Sequence, residues 1–282
     1  MEIDSMTFLC ISTELFNATE KGDLEKVLAL IEEAGDKASD LACSSIHSGW
    51  TSLMYAAIYK HEAIASVLIN TAADRASELV CTSNYYGATA LFFAANSGSS
   101  SIVRALIKVA GKKASELVCA SDKSSTTALI FAANKGHKDI VAILIDAAGD
   151  KISEHIKVTD RNESSALAYA CSNNHTDTAF LLMDAMRSEE AVCALKRHRT
   201  IGPFANKYID TKLKMASVAL YEMPSLGNMQ GPLGIVASYL LGDEEANRRA
   251  FTPSFIQTAV VSQSTKKTEM ELSETLRISL HI

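Results

Sequence analysis

The apolar positions of this chain recur at long range as well as at short range. Leu15, Leu53, Leu91, Leu129 and Leu167 stand 38 residues apart at every step, and Leu30, Leu68, Leu106, Leu144 and Leu182 keep the same interval. The frame needs no gaps. A fixed period of this size is the signature of stacked structural repeats. A shorter period lies inside each unit. In the third, Thr89 offers a hydroxyl N-cap to a helix over 90–96, and Gly98 is a natural left-handed stop. Ile102, Val103, Leu106 and Ile107 then form the stripe of a second helix, ended by Gly111. No unit can bury its apolar face alone, whereas stacked units share one continuous core. The pattern predicts an all-α solenoid of five helix–turn–helix repeats.

The wording of the repeat is specific. Thr89-Ala-Leu-Phe-Phe-Ala-Ala-Asn-Ser-Gly98 and Thr127-Ala-Leu-Ile-Phe-Ala-Ala-Asn-Lys-Gly-His137 resemble the ankyrin motif Thr-Pro-Leu-His-x-Ala-Ala-x-x-Gly-His. The resemblance covers residues 8–186. It departs from the motif at the proline, replaced by Ser, Ala or Glu, and in its period, 38 rather than about 33. The extra residues fall in segments such as Lys113-Ala-Ser-Glu-Leu-Val118, which predict one added short helix whose Ala and Leu pack back onto the stack.

The frame lapses after residue 186, and all four prolines lie beyond residue 200. Residues 187–282 therefore read as a separate C-terminal helical tail of no recognised family. Ser188–Leu195 reads as a helix, as does the stripe Ile209, Leu213, Ala216 and Leu220. Residues 223–234 read as a loop, and 235–241 and 253–262 as short buried helices. The segment from Met270 to Ile282 fits either strand or helix, with packing on the last repeat the favoured reading.

Composition narrows the function. Hydrophobic residues make up 48% of the chain, enough for a core. No apolar run approaches the roughly 20 residues of a membrane span, and the start Met-Glu-Ile-Asp is acidic where a secretion signal would be basic. Of 27 basic and 33 acidic residues, 15 and 23 lie in residues 1–186. Neither part is basic enough for a nucleic-acid binder.

Most candidate chemistry dissolves into the frame. Cys43, Cys81 and Cys119 recur with the period. Equivalent positions in stacked helices lie about 8–10 Å apart, too far for a disulfide, so they read as buried free thiols suited to a reducing cytoplasm. Cys171 aligns with Ala57, Ala95 and Ala133 and reads as core. His61, His137 and His175 occupy the Gly-His position of the motif and read as turn hydrogen bonders. No metal, phosphate-loop or hydrolase motif appears, and no cofactor is expected. Cys193 and His198 are a weak nucleophile pair, because they lie on or just beyond one helix whereas such pairs usually come from distant segments. The reading is non-enzymatic.

Residues that vary in register are free of the stack and available for binding. The unit tips align as His47-Ser-Gly-Trp50, Tyr85-Tyr-Gly-Ala88, Lys123-Ser-Ser-Thr126 and Arg161-Asn-Glu-Ser164. The first helices end in Ile58-Tyr59, Asn96-Ser97, Asn134-Lys135 and Ser172-Asn173. An aromatic patch (Trp50, Tyr59, Tyr85, Tyr86) grading into a basic, amide-rich one (Asn96, Lys123, Asn134, Lys135, Arg161) is the expected partner-binding surface. The competing reading has these rings folding down over neighbouring loops or the tail. The ankyrin resemblance implies that a protein partner meets the loop tips and the concave face of the first helices. A partner with an apolar anchor beside acidic groups would fit. The alternative is a translocated bacterial effector, whose repeats recruit a host target in the host-cell cytosol and whose tail has its own activity. That reading rests on resemblance to long-period ankyrin effectors and on the Ser/Thr and Glu mix of residues 265–275. The protein is expected to be a monomer or a tail-mediated oligomer.

Overall fold

The computed structural model describes residues 5–186. The chain divides into two units at Ala185 and Met186, and the description below is of the first. The expected tail helices, loop and terminal segment, and the Cys193–His198 pair, lie outside the described residues.

The elements follow the 38-residue frame. The first repeat supplies α1 (Ser5–Lys21), α2 (Leu24–Ala34) and α3 (Ala38–Ala42), the second α4 (Ser52–Tyr59), α5 (Glu62–Ala72) and α6 (Ala76–Cys81). The third supplies α7 (Ala90–Ser97), α8 (Ser100–Ala110) and α9 (Ala114–Cys119), the fourth α10 (Ala128–Lys135), α11 (Lys138–Ala148) and α12 (Ile152–His155). The last pair is α13 (Ala166–Ser172) and α14 (Thr176–Ala185). The only paired strands among the described residues are β1 (Ser45–Ile46) and β2 (Trp50–Thr51), an antiparallel ribbon. The described part is an all-α repeat fold.

Local chemistry sets the ends of these helices. Thr51, Thr127 and Ser165 cap α4, α10 and α13, each accepting from the backbone N–H three residues on at 3.3 Å. Thr89 departs from the expectation: its hydroxyl makes no cap bond and is buried without a protein partner. Gly98 and Gly136 stop α7 and α10 in the left-handed conformation (φ 86° and 73°). Lys60 holds the same conformation at the end of α4 (φ 62°), where a side chain is disfavoured.

The first helices pack in sequence, α1 on α4, α4 on α7, α7 on α10 and α10 on α13, and the second helices form a parallel series from α2 to α14. The anchor leucines Leu15, Leu53, Leu91, Leu129 and Leu167 are buried between the two layers, as are Leu30, Leu68, Leu106, Leu144 and Leu182. Each is worth about 1.5–3 kcal/mol relative to exposure. Met54, Phe92 and Ile130 are buried beside the anchors, at the position the ankyrin motif gives to histidine.

The five extra residues per repeat form a third layer. A one-turn 3-10 helix leads into α3, α6, α9 and α12. The first three of these pack on the second helix of the following repeat, α3 on α5, α6 on α8 and α9 on α11. Leu41, Ala42, Leu79, Val80, Leu117 and Val118 are buried there. Ala38, Ala76 and Ala114 are only half-buried, so the leucine and its neighbour, not the alanine, carry the packing. The hydroxyls of Ser39 and Ser115 donate to the carbonyls of Ala72 and Ala148 at 3.1 Å, satisfying the last turns of α5 and α11 in the next repeat. The longer period thus adds a clamp between repeats.

Candidate functional site

The loop preceding each of α7, α10 and α13 is folded by one carboxamide or carboxylate. Asn84 Oδ1 accepts from the backbone N–H of Tyr86 and of Ala88, both at 3.0 Å. Asp122 Oδ1 accepts from Ser124 and Thr126 at 2.8 Å, and Asp160 Oδ1 from Asn162 and Ser164 at 2.9 and 3.0 Å. Bridges Ser83–Thr89, Ser121–Thr127 and Thr159–Ser165 complete the narrow fingers. Consecutive fingers are tied through the main chain. Tyr85 N–H donates to Ser48 O at 2.7 Å, Lys123 N–H to Tyr86 O at 2.8 Å and Arg161 N–H to Ser124 O at 3.2 Å. Gly87 lies so near the next finger that a Cβ there would be 3.2 Å from Asp122 Cα.

On this frame Tyr85 and Tyr86 are the outermost rings, 66% and 56% exposed, in edge contact with each other. Lys123 Nζ sits 3.6 Å from the centre of the Tyr85 ring, a cation–π pair spanning two fingers. Arg161 reaches back to donate to the Lys123 carbonyl at 2.5 Å. These four residues of the expected surface form one cluster.

Trp50 behaves differently. It is half-buried, with its indole 4.9 Å from Phe93 and 5.6 Å from Tyr55. Its ring turns inward onto α4 and α7 rather than standing at the rim. Tyr59 is 46% exposed, stacks on His61 and donates its hydroxyl to Glu20 at 3.2 Å, which raises its pKa. It belongs to the Glu20 edge of the stack, joined to Trp50 through Tyr55. Asn134 is partly committed to the stack: its side-chain oxygen accepts from Asn173 at 2.6 Å and its carbonyl from His175 at 3.1 Å. Lys135 is exposed in the last turn of α10.

Below the fingers lies a cleft of about 260 Å3 lined by Trp50, Tyr86 and Asn96 with Asn84, Ala88, Phe92, Phe93, Asp122 and Phe131. Phe93 and Phe131 in this lining belong to a recurring aromatic position. Tyr55, Phe93, Phe131 and Tyr169 recur two residues after the anchor leucine, so variation in register does not single them out. Each is half-buried. An aromatic side chain kept on the far side of the helix from a buried leucine was the available signal. Tyr169 is tied down, donating to Asp160 Oδ2 at 2.6 Å. Burial pushes the Asp160 carboxyl up, but hydrogen bonds from Tyr169 and from the Ser164 and Asn162 N–H groups outweigh it and leave its pKa lowered.

The histidines behave as the turn hydrogen bonders the sequence suggested. His61, His137 and His175 pair through Nε2 with the carbonyls of Glu20, Asn96 and Asn134 in the preceding repeat, at 3.4, 3.3 and 3.1 Å. Cys171 is buried, its thiol pushed up to about 12 by desolvation. Cys43, Cys81 and Cys119 are half-buried rather than buried, and desolvation raises them too. These are poor nucleophiles. Among the described residues no group of three His, Cys, Asp or Glu could hold a metal ion, and no helix is long and apolar enough to cross a membrane.

Helix pairs stacked in one frame, with linked fingers along one edge, define a helical-repeat protein. A family model described as ankyrin repeats, in three copies, matches residues 15–116 and 109–191. The chain belongs to the ankyrin-repeat family. Ankyrin repeats are in general protein–protein interaction modules and the family is typically non-enzymatic. Comparison with curated proteins finds no match.

Proposed function

We propose that residues 8–186 form a rigid recognition module that binds a segment of another protein across the fingers and the concave face of the first helices, with residues 187–282 a separate domain. The observation that carries this reading is the Tyr85–Tyr86–Lys123 cluster, two largely exposed rings and a cation held in one place. Tyr is a common interface anchor, and an ordered surface loses little entropy on binding. Lys123, Lys135 and Arg161 favour an acidic flank on the partner, beside an apolar anchor. Asn96 and Asn134 supply amides between them. The in-register thiols support a reducing, cytoplasmic setting.

The test is a Tyr85→Ala/Tyr86→Ala variant of the full chain. Partners captured by the wild type and identified by mass spectrometry would be purified and titrated against both proteins. Affinity should fall at least about tenfold with the melting temperature unchanged, since neither ring is buried. Unchanged affinity refutes the assignment. Trp50 is unsuited to this test because its indole packs within the stack. The effector reading is a second proposal, supported by the resemblance to long-period ankyrin effectors and by the composition of residues 265–275. A translocation reporter fused to the chain, with and without residues 265–282, tests it.

A further inference from the structure

The cleft beneath the Asn84 finger has an internal explanation. Trp50 and Ala88 occupy the same register position in consecutive repeats. The Trp50 indole lies 4.9 Å from Phe93 at an interplanar angle of 31°, filling the space between its own finger and the next first helix. One repeat on, the residue corresponding to Phe93 is Phe131, and the residue corresponding to Trp50 is Ala88. Phe131 and Ala88 both line the cleft. The space that an indole fills in one repeat is thus open in the next. Its volume of about 260 Å3 falls below the range usual for drug-sized ligands and exceeds the roughly 150 Å3 that admits a benzene ring.

The wall carries a second observation. Asn84 is 5% exposed and lines the cleft. Its Oδ1 is held by two backbone N–H groups, which fixes the amide orientation, while its Nδ2 finds no protein acceptor. An unpaired buried donor costs about 1–3 kcal/mol. The finger itself does not need it: Asp122 and Asp160 make the same closure with a carboxylate and no N–H. The amide is therefore a donor surplus to the fold, buried in a residue that lines an aromatic slot. Asp122 lines the same cleft, and its carboxylate disfavours an anionic occupant.

We propose that the cleft receives one aromatic side chain of a bound protein segment, its ring over Phe131 as Trp50 lies over Phe93, with an adjacent neutral carbonyl accepting from Asn84 Nδ2. This rests on the reading of the module as a protein binder and names its anchor.

N-acetyl-L-phenylalaninamide is a minimal probe, and Trp50, the chain's one tryptophan, is a reporter in the cleft wall. Titration of the full chain should change Trp50 emission saturably. Asn84→Asp keeps the finger closure and removes the donor, so it should weaken the probe about three- to tenfold while leaving toluene, a ring without a carbonyl, bound as before. Ala88→Phe fills the slot and should abolish both responses; the position already tolerates Trp50 and Thr126 in other repeats. N-acetyl-L-phenylalanine, with its carboxylate, should bind more weakly than the amide. No saturable response in the wild type, or equal probe affinity in Asn84→Asp and wild type, overturns the inference. If those results occur while Tyr85→Ala/Tyr86→Ala still loses its purified partner, the anchor fails and the binding function stands. If that double variant also keeps its partner, both fail.

Discussion

A Cβ placed on Gly98 would lie 2.6 Å from Cε1 of His137, so the imidazole of one repeat occupies the space that glycine leaves in the repeat before it. Gly22 and His61 stand in the same relation, as do Gly136 and His175. Where Lys60 takes the glycine position, the following repeat carries Ser99 in place of histidine. The ring needs the missing side chain, and in return its Nε2–H donates to the carbonyl of Asn96.

Gly98→Ala should therefore cost about 1–3 kcal/mol, from the positive φ and from the collision together. Adding His137→Ser should recover the steric share, leaving the double variant less damaged than the two single losses combined. Urea unfolding of the four proteins measures this, and simple additivity would contradict the pairing.

Lys60→Gly is expected to act in the opposite direction. Lys60 bears the left-handed conformation with a side chain, and Ser99 leaves the neighbouring space without a ring. Relief of that conformation, net of the added freedom of the unfolded chain, should raise stability by up to about 1 kcal/mol in thermal unfolding.

His155 stands where the earlier repeats have Leu41, Leu79 and Leu117. It is 4% exposed, its Nε2 has no partner, and burial pushes the imidazole down to about 4. The folded protein holds this histidine neutral while the unfolded chain protonates near 6.5. Stability is unaffected well above pH 6.5 and declines as pH falls from there towards 4, by up to about 3 kcal/mol. His155→Leu should abolish that decline and stabilise the protein at neutral pH. Unfolding at pH 7.5 and pH 5 distinguishes the outcomes, and an equal acid loss in the variant would refute the role given to His155.

Asp160→Asn should be tolerated, since Asn84 folds the equivalent finger with an amide oxygen. Asp160→Ala removes the acceptor of two backbone N–H groups and of the Tyr169 hydroxyl, and should cost about 1–3 kcal/mol. The lowered pKa of Asp160 means that its contribution is present above the ordinary carboxylate range and lost as pH falls through the lowered value. Hydrogen exchange at Asn162 and Ser164 gives the local readout: faster in Asp160→Ala and little changed in Asp160→Asn.

The fold was legible because the chain states the same pattern several times, and each restatement corrects the noise in the others. Leu15 and its counterparts announced the core, and Gly98 the helix stop. Thr89 shows the limit of local rules: it is the right residue for a cap, but its hydroxyl makes no cap bond. The surface was legible in part. Tyr85 and Tyr86 vary in register and are exposed. Trp50 varies too, but a variable residue can fill a groove presented by its neighbour, and sequence does not give the depth of that groove. Phe93 and Phe131 recur, and recurrence alone does not reveal that a ring can support the stack with one edge and remain half open on the other. Asn84 and Asp122 were invisible as a pair, because their common role is a loop closure visible only in backbone geometry.

Three of the hydrogen bonds that run from finger to finger use main-chain atoms alone: Ser48 O, Tyr86 O and Ser124 O are acceptors whatever side chains those residues bear. Address and frame are thereby written in different atoms. Side chains at positions 85, 86, 123 and 161 can be rewritten without breaking these three main-chain bonds, so the same scaffold can be re-addressed to a new partner by a few exchanges at its rim.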